Sequence, residues 1–109
     1  MSTHAARKMR TILGNVQNVI AIELIVAAQA IEWRVAMMQG VPEAHNLDAA
    51  ETQATAFEQA VSGRASEIAQ FLGTGSAEIY LRIRELVDPL FKDRPLNEAI
   101  RRVRLGICQ

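Results

Sequence analysis

Residues 10–34, RTILGNVQNVIAIELIVAAQAIEWR, form a run that is apolar on nearly every side of a helix, with one acid, Glu23, in its middle. Ile12, Leu13, Val16, Val19, Ile20, Leu24, Ala27, Ala28, Ile31 and Val35 recur at three- and four-residue spacing, the period of an α-helix. Ile22, Ile25, Val26 and Trp33 add a second stripe over much of the remaining surface. A helix apolar all round is buried in something large, and a chain of 109 residues can hardly surround it alone. The chain is therefore expected to work in an assembly or as one part of a bigger protein. Its expected packing face is Val19, Ile20, Ile22, Glu23, Leu24, Ile25, Val26, Gln29 and Trp33.

The rest of the chain supports an all-α fold. Half of the residues are hydrophobic, and no alternating apolar runs bounded by turn residues mark strands. The first helix is expected over about 3–38, some 50 Å at the usual rise. Gly14 within it is expected to mark a close helix contact. Arg7, Lys8 and Arg10 sit unfavourably beside the positive end of the helix dipole, so the natural helix is expected to begin earlier. Gly40 and Pro42 end it. A second helix is expected over about 48–71, opened by a capping box of Asp48 and Glu51. Its narrow stripe is Ala50, Ala54, Phe57, Val61, Ala65, Ile68 and Leu72, and Ser62-Gly63 is a point of bending or breakage. A third helix, about 76–87, is expected to be capped by Ser76. The last, about 96–105, follows Pro95 and ends at Gly106. One long, largely buried helix and three shorter ones make a single helical domain over 1–109.

Charge and cysteine content narrow the function. Twelve basic and twelve acidic residues cancel, so no overall field steers the chain to nucleic acid or an acidic membrane. The arginines Arg82, Arg84, Arg101, Arg102 and Arg104 are interleaved with Glu78, Glu85, Asp88 and Glu98, which reads as a solvated, salt-bridged face. The strongly apolar stretch 19–31 is shorter than the roughly 20 residues needed to span a bilayer, so no membrane span is expected; the apolar run begins late and contains Glu23, so no signal peptide is expected either. A lone Cys108 forms no intramolecular disulfide and fits a cytoplasmic location. His4, His45 and Cys108 lack the spacing of a zinc site. Glu23 alone asks for chemistry: a carboxylate among Ile20, Ile22, Leu24 and Ala27 suits either a general acid or base, or an ion pair with a neighbouring helix. Gln29 is placed to bond across a helix interface.

Three ordered segments resemble the C-terminal part of the aromatic amino acid ammonia-lyases, the family of histidine, phenylalanine and tyrosine ammonia-lyases and related aminomutases. Met1-Ser2-Thr3-His4-Ala5-Ala6-Arg7-Lys8 looks like the helix start after the family's Ser-Met-Gly, with Ser2 where glycine is usual. Ala21-Ile22-Glu23-Leu24, continuing through Ala27-Ala28-Gln29-Ala30-Ile31 to Arg34, looks like its long C-terminal helix. Asp93-Arg94-Pro95-Leu96 with Ile100 is similar to the family's D-R-P-L and following D-I, Ala99 replacing the acid. The similarity covers about 1–36 and 71–105, and no motif is placed in 37–70.

The resemblance implies a place in the helical core of a homotetramer, which accounts for a helix apolar all round. It also implies that the catalytic tyrosine and the tripeptide Ala-Ser-Gly, source of the methylideneimidazolone cofactor, belong to a preceding region. The nearest tripeptide here, Ala65-Ser66-Glu67, lacks the glycine. The chain alone is thus expected to hold no cofactor and no catalytic residue, to be inactive, and to pair with its own copies or with a complementary lyase N-terminal segment. Two other readings stand beside this one: an independent helical self-association module, and a small enzyme using Glu23.

Overall fold

A computed structural model of the chain describes residues 2–107. Met1, at the head of the first resemblance segment, and Cys108 lie outside the described residues. Helix α1 is Thr3–Met38, 36 residues in one piece. It is followed by α2 (Leu47–Val61), α3 (Ala65–Ala69), α4 (Thr74–Leu86) and α5 (Asn97–Ile107). There is no strand among the described residues.

The helix ends follow local chemistry, and several differ from expectation. Ser2 caps α1, its Oγ accepting from the Ala5 N–H at 3.2 Å, and no acid occupies the first turn. At the other end Gly40 takes φ +97°. The Val41 N–H donates to the Ala36 carbonyl and the Gly40 N–H to that of Met37, both at 3.1 Å, a Schellman closure. The cap of α2 is Asn46, whose Oδ1 accepts from the Ala49 N–H at 2.8 Å. The expected Asp48–Glu51 box lies inside the helix. The single helix expected over 48–71 is two. Ser62 at φ −60°, ψ 123° and Gly63 at φ +71° form a type II turn closed by Arg64 N–H to Val61 C=O at 3.1 Å. Gly73 rather than Ser76 precedes α4. Gly106 does not stop α5, which runs on to Ile107. A Cβ at Gly106 would lie 2.6 Å from a Leu86 methyl, so the glycine serves close packing there.

Two buried clusters hold the helices together. The larger joins Ala28, Val35 and Ala36 of α1 to Phe57, Val61, Ile68, Ala69, Tyr80 and Ile83. The smaller joins Ala21 of α1 to Val87, Ala99 and Val103, and Leu24 and Ile107 pack against both. Trp33 stacks on Phe57 with centroids 3.9 Å apart, and Phe91 meets Phe57 edge-on at 5.7 Å. Trp33 and Ile25 are therefore half-buried against the chain's own core rather than part of an outer stripe. Everything buried in α1 lies from Ala21 onward; its first half runs past the core, in a molecule 57 Å in its longest dimension.

Candidate functional site

The side of α1 turned away from the core is apolar along its length. Met9, Ile12, Leu13, Val16, Val19, Ile20, Ile22 and Val26 are all exposed, Val26 by 60% and Met9 by 58%. These residues form one continuous apolar stripe rather than the single scattered apolar residues usual on a surface, the kind of patch that interaction surfaces present. By length and composition alone α1 also suffices to cross a membrane. Counting only residues 19–31 understates the apolar run, which continues through Ile12, Leu13 and Val16. Of the expected packing face, Val19, Ile20, Ile22, Glu23 and Val26 point outward. Leu24, Ile25, Gln29 and Trp33 are half-buried against other helices and the loop after α4.

Glu23 is exposed at the centre of that stripe. In a single copy it is not the desolvated carboxylate that an acid–base role needs.

The buried acid is Glu32, 1% exposed and unnoticed in the sequence. Its partners come from α4. Arg84 grips both carboxylate oxygens, Nε donating to Oε2 at 2.9 Å and Nη2 donating to Oε1. The Tyr80 hydroxyl donates to Oε2 at 2.9 Å. Arg84 Nη1 donates to the Val87 carbonyl at 3.2 Å, and the guanidinium lies 5.9 Å from the Tyr80 ring centre. Burial pushes the Tyr80 phenol well above its usual range, and the charge and hydrogen bond of Glu32 push the same way. The phenol therefore stays a donor. With its charge answered by a bidentate guanidinium, Glu32 is a clamp between α1 and α4 rather than a proton carrier. Arg84 thus leaves the solvated face expected of it. Arg82 stays there, 2.9 Å from Glu85, as do Arg101 and Arg102, 3.7 and 3.4 Å from Glu98. The position of Glu32 one turn after Ala28 and one before Ala36, both on the buried face, is the signal that could have found it.

Beside this clamp lies a cavity of about 300 Å³ lined by Ile25, Val26, Trp33, Val87, Leu90 and Leu96 among others. The polar groups on its wall hold the wall in place. Gln29 clips both backbone atoms of Leu90, donating to its carbonyl at 2.9 Å and accepting from its N–H at 3.0 Å. This is a contact to the loop after α4 rather than across two helices. Arg94 Nη2 donates to the Asp88 carbonyl at 2.8 Å. No group of three or more His, Cys, Asp or Glu residues converges as a metal site among the described residues.

Comparison with known proteins gives this arrangement a family. The model of the aromatic amino acid lyases matches residues 1–62, more than half of the chain. The chain belongs to the aromatic amino acid lyase family. A histidine ammonia-lyase of Caldanaerobacter subterraneus subsp. tengcongensis is 33% identical over 96 residues. That alignment takes in 88% of this chain and 12% of the relative, so the chain spans about an eighth of the lyase it matches. No solved structure matches. The family match continues through the loop after α1 and all of α2, where motif reading found nothing to place. Wherever the 96 aligned residues begin, they include Asp93-Arg94-Pro95-Leu96. The sequence contains no Ala-Ser-Gly tripeptide. Ala65-Ser66-Glu67 opens helix α3 with its backbone held in helical hydrogen bonds, and its third residue carries a side chain.

Proposed function

We propose that this chain is the C-terminal helical segment of an aromatic amino acid ammonia-lyase, and that it builds the oligomeric helical core supporting active sites made elsewhere. The exposed apolar stripe of α1 carries this reading. A member of this family that packs the other side of α1 against its own helices still presents a full-length apolar face for further helices. The whole enzyme would eliminate ammonia from an aromatic amino acid in the cytoplasm, and the segment would contribute packing rather than chemistry. Its partners are copies of itself or a complementary lyase N-terminal segment, not nucleic acid or membrane.

The test is the native mass of the purified chain by light scattering on a sizing column, with an assay for urocanate, cinnamate and coumarate. A discrete oligomer without product formation is the expected result. A monodisperse monomer that stays monomeric when a lyase N-terminal segment is added would overturn the proposal, as would capture by lipid vesicles in place of oligomers. Product formation by the chain alone would sink the packing role.

A second reading, an independent self-association module, is favoured by one observation: both buried clusters are closed by the chain's own helices. Such a module would self-associate and ignore the N-terminal segment, whereas a lyase segment binds it.

A further inference from the structure

The apolar stripe contains two charges that the folded chain leaves exposed, and their spacing is specific. Glu23 and Arg34 are both exposed on α1. Neither has a hydrogen-bonding or ion-pairing side-chain partner among the described residues. They are eleven residues apart, which is three helical turns, so Arg34 lies about 16 Å along the axis and only about 20° around it from Glu23. Covering the stripe removes Glu23 from water, and a carboxylate desolvated without a countercharge is strongly destabilising. The partner helix must therefore bring a cation to that position.

From this self-complementary spacing we infer that the part of the stripe within residues 19–38 is an antiparallel, two-fold interface between two copies of α1. Glu23 of each copy pairs with Arg34 of the other, and the helices cross between Ala27 and Ala30. The inference rests on the self-association proposed above and specifies its register. A two-fold axis makes every contact occur twice, so a single register satisfies both carboxylates and both guanidinium groups. In that register every other opposition on the face within residues 19–38 is apolar. Ala27 meets Ala30 of the second copy, small residues that let the backbones approach. Ile20 meets Met37, Val19 meets Met38, and Val26 meets Ile31. Beside Arg34 lies an open groove of about 410 Å³ with Ile31, Met38, Phe71 and Leu72 among its walls, placed to receive the aliphatic residues that flank Glu23 of the second copy.

Charge reversal tests the pairing, because both positions are exposed in the single copy and their replacement leaves the core intact. Glu23→Arg alone opposes two cations twice over, and Arg34→Glu alone opposes two anions twice over. Each variant should fold, with its helical circular dichroism retained in the monomer, and associate about 100-fold more weakly or worse than the wild type. Mixed in equal amounts, the two variants should recover association as a heterodimer, since the Glu23→Arg chain then meets two acids on the Arg34→Glu chain. The double variant should recover it as a homodimer. Wild-type association with no recovery in the mixture would overturn this register while leaving self-association standing. Loss with Glu23→Arg but not with Arg34→Glu would overturn it too, assigning Glu23 another countercharge such as Lys8. A wild type that stays monomeric removes the self-association reading itself, and this register with it.

Discussion

Replacing Arg84 with methionine isolates the energetics of the buried clamp. The guanidinium supplies two of the three donors that the Glu32 carboxylate receives from side chains, and the side chains are 6% and 1% exposed. Surface screening is therefore absent, and the substitution leaves a buried carboxylate with the Tyr80 hydroxyl alone. Breaking such a pair from one side costs about 3–5 kcal/mol, a large fraction of the roughly 5–15 kcal/mol by which domains are stable. In a chain of this size that corresponds to a fall in Tm of roughly 15 °C or more. The triple replacement Glu32→Leu, Tyr80→Phe and Arg84→Met removes charge, acceptor and donor together, and should lie within about 2 kcal/mol of the wild type, because apolar packing substitutes well for a buried ion pair. Thermal melts followed by helical circular dichroism and by emission of the single Trp33, at one fixed protein concentration so that association contributes equally, measure both. An Arg84→Met chain less than about 1 kcal/mol below the wild type would refute the clamp. A triple variant no more stable than the single would refute the claim that the cost lies in the orphaned charge.

Three further outcomes follow from the same contacts. The raised Tyr80 phenol stays neutral in the fold at a pH where the unfolded chain ionises it, so the stability it contributes is full below about pH 10 and is lost as pH rises beyond. Tyr80 is the only tyrosine, so phenolate absorbance reports it alone, and Tyr80→Phe should flatten that part of the stability profile; an ordinary phenol titration in the native chain would contradict the burial. Gln29→Leu strands the Leu90 N–H and carbonyl, and urea unfolding should show a loss of about 1–3 kcal/mol; no loss would mean that the clip to Leu90 contributes nothing. Gly63→Ala places a side chain at φ +71° and should cost about 1 kcal/mol or more by the same measurement, whereas a stabilised variant would mean that α2 and α3 prefer to merge.

What could be read from the residues was the part governed by period and composition. The apolar spacing pointed to one long helix, and the absence of alternation to an all-α fold. What escaped depends on which of several side chains reaches a given partner. Asp48 and Ser76 are good capping residues, but Asn46 and Gly73 stand at the places where the chain turns into the helix. Glu23 drew attention because its sequence neighbours are apolar, yet neighbours in sequence point to different sides of a helix, and its own side is exposed. Glu32 lies among Trp33, Arg34 and Gln29 in sequence, which disguises it, while its depth in the fold comes from Tyr80 and Arg84, 48 and 52 residues away. The outward stripe itself was legible because it is a property of one helix alone.

The separation of α1 into a supported half and a projecting half has a consequence for how order spreads along the chain. Before Gln17 the helix has about four turns, Gly14 inside them, and no residue buried. Helices of that length hold together only marginally in water. In a dilute single copy these turns are expected to fray from Ser2 inward, with the backbone amides of residues 5–16 exchanging with solvent faster than those of residues 21–36. In the register inferred above two copies of α1 overlap over residues 19–38 and leave these turns uncovered. A further helix laid on Met9, Ile12, Leu13 and Val16 would bring them backbone order and apolar contact in the same step. The length of α1 would then depend on its company: each such helix would complete a rod whose lower half is already built, as a zipper closes from the end that is already engaged.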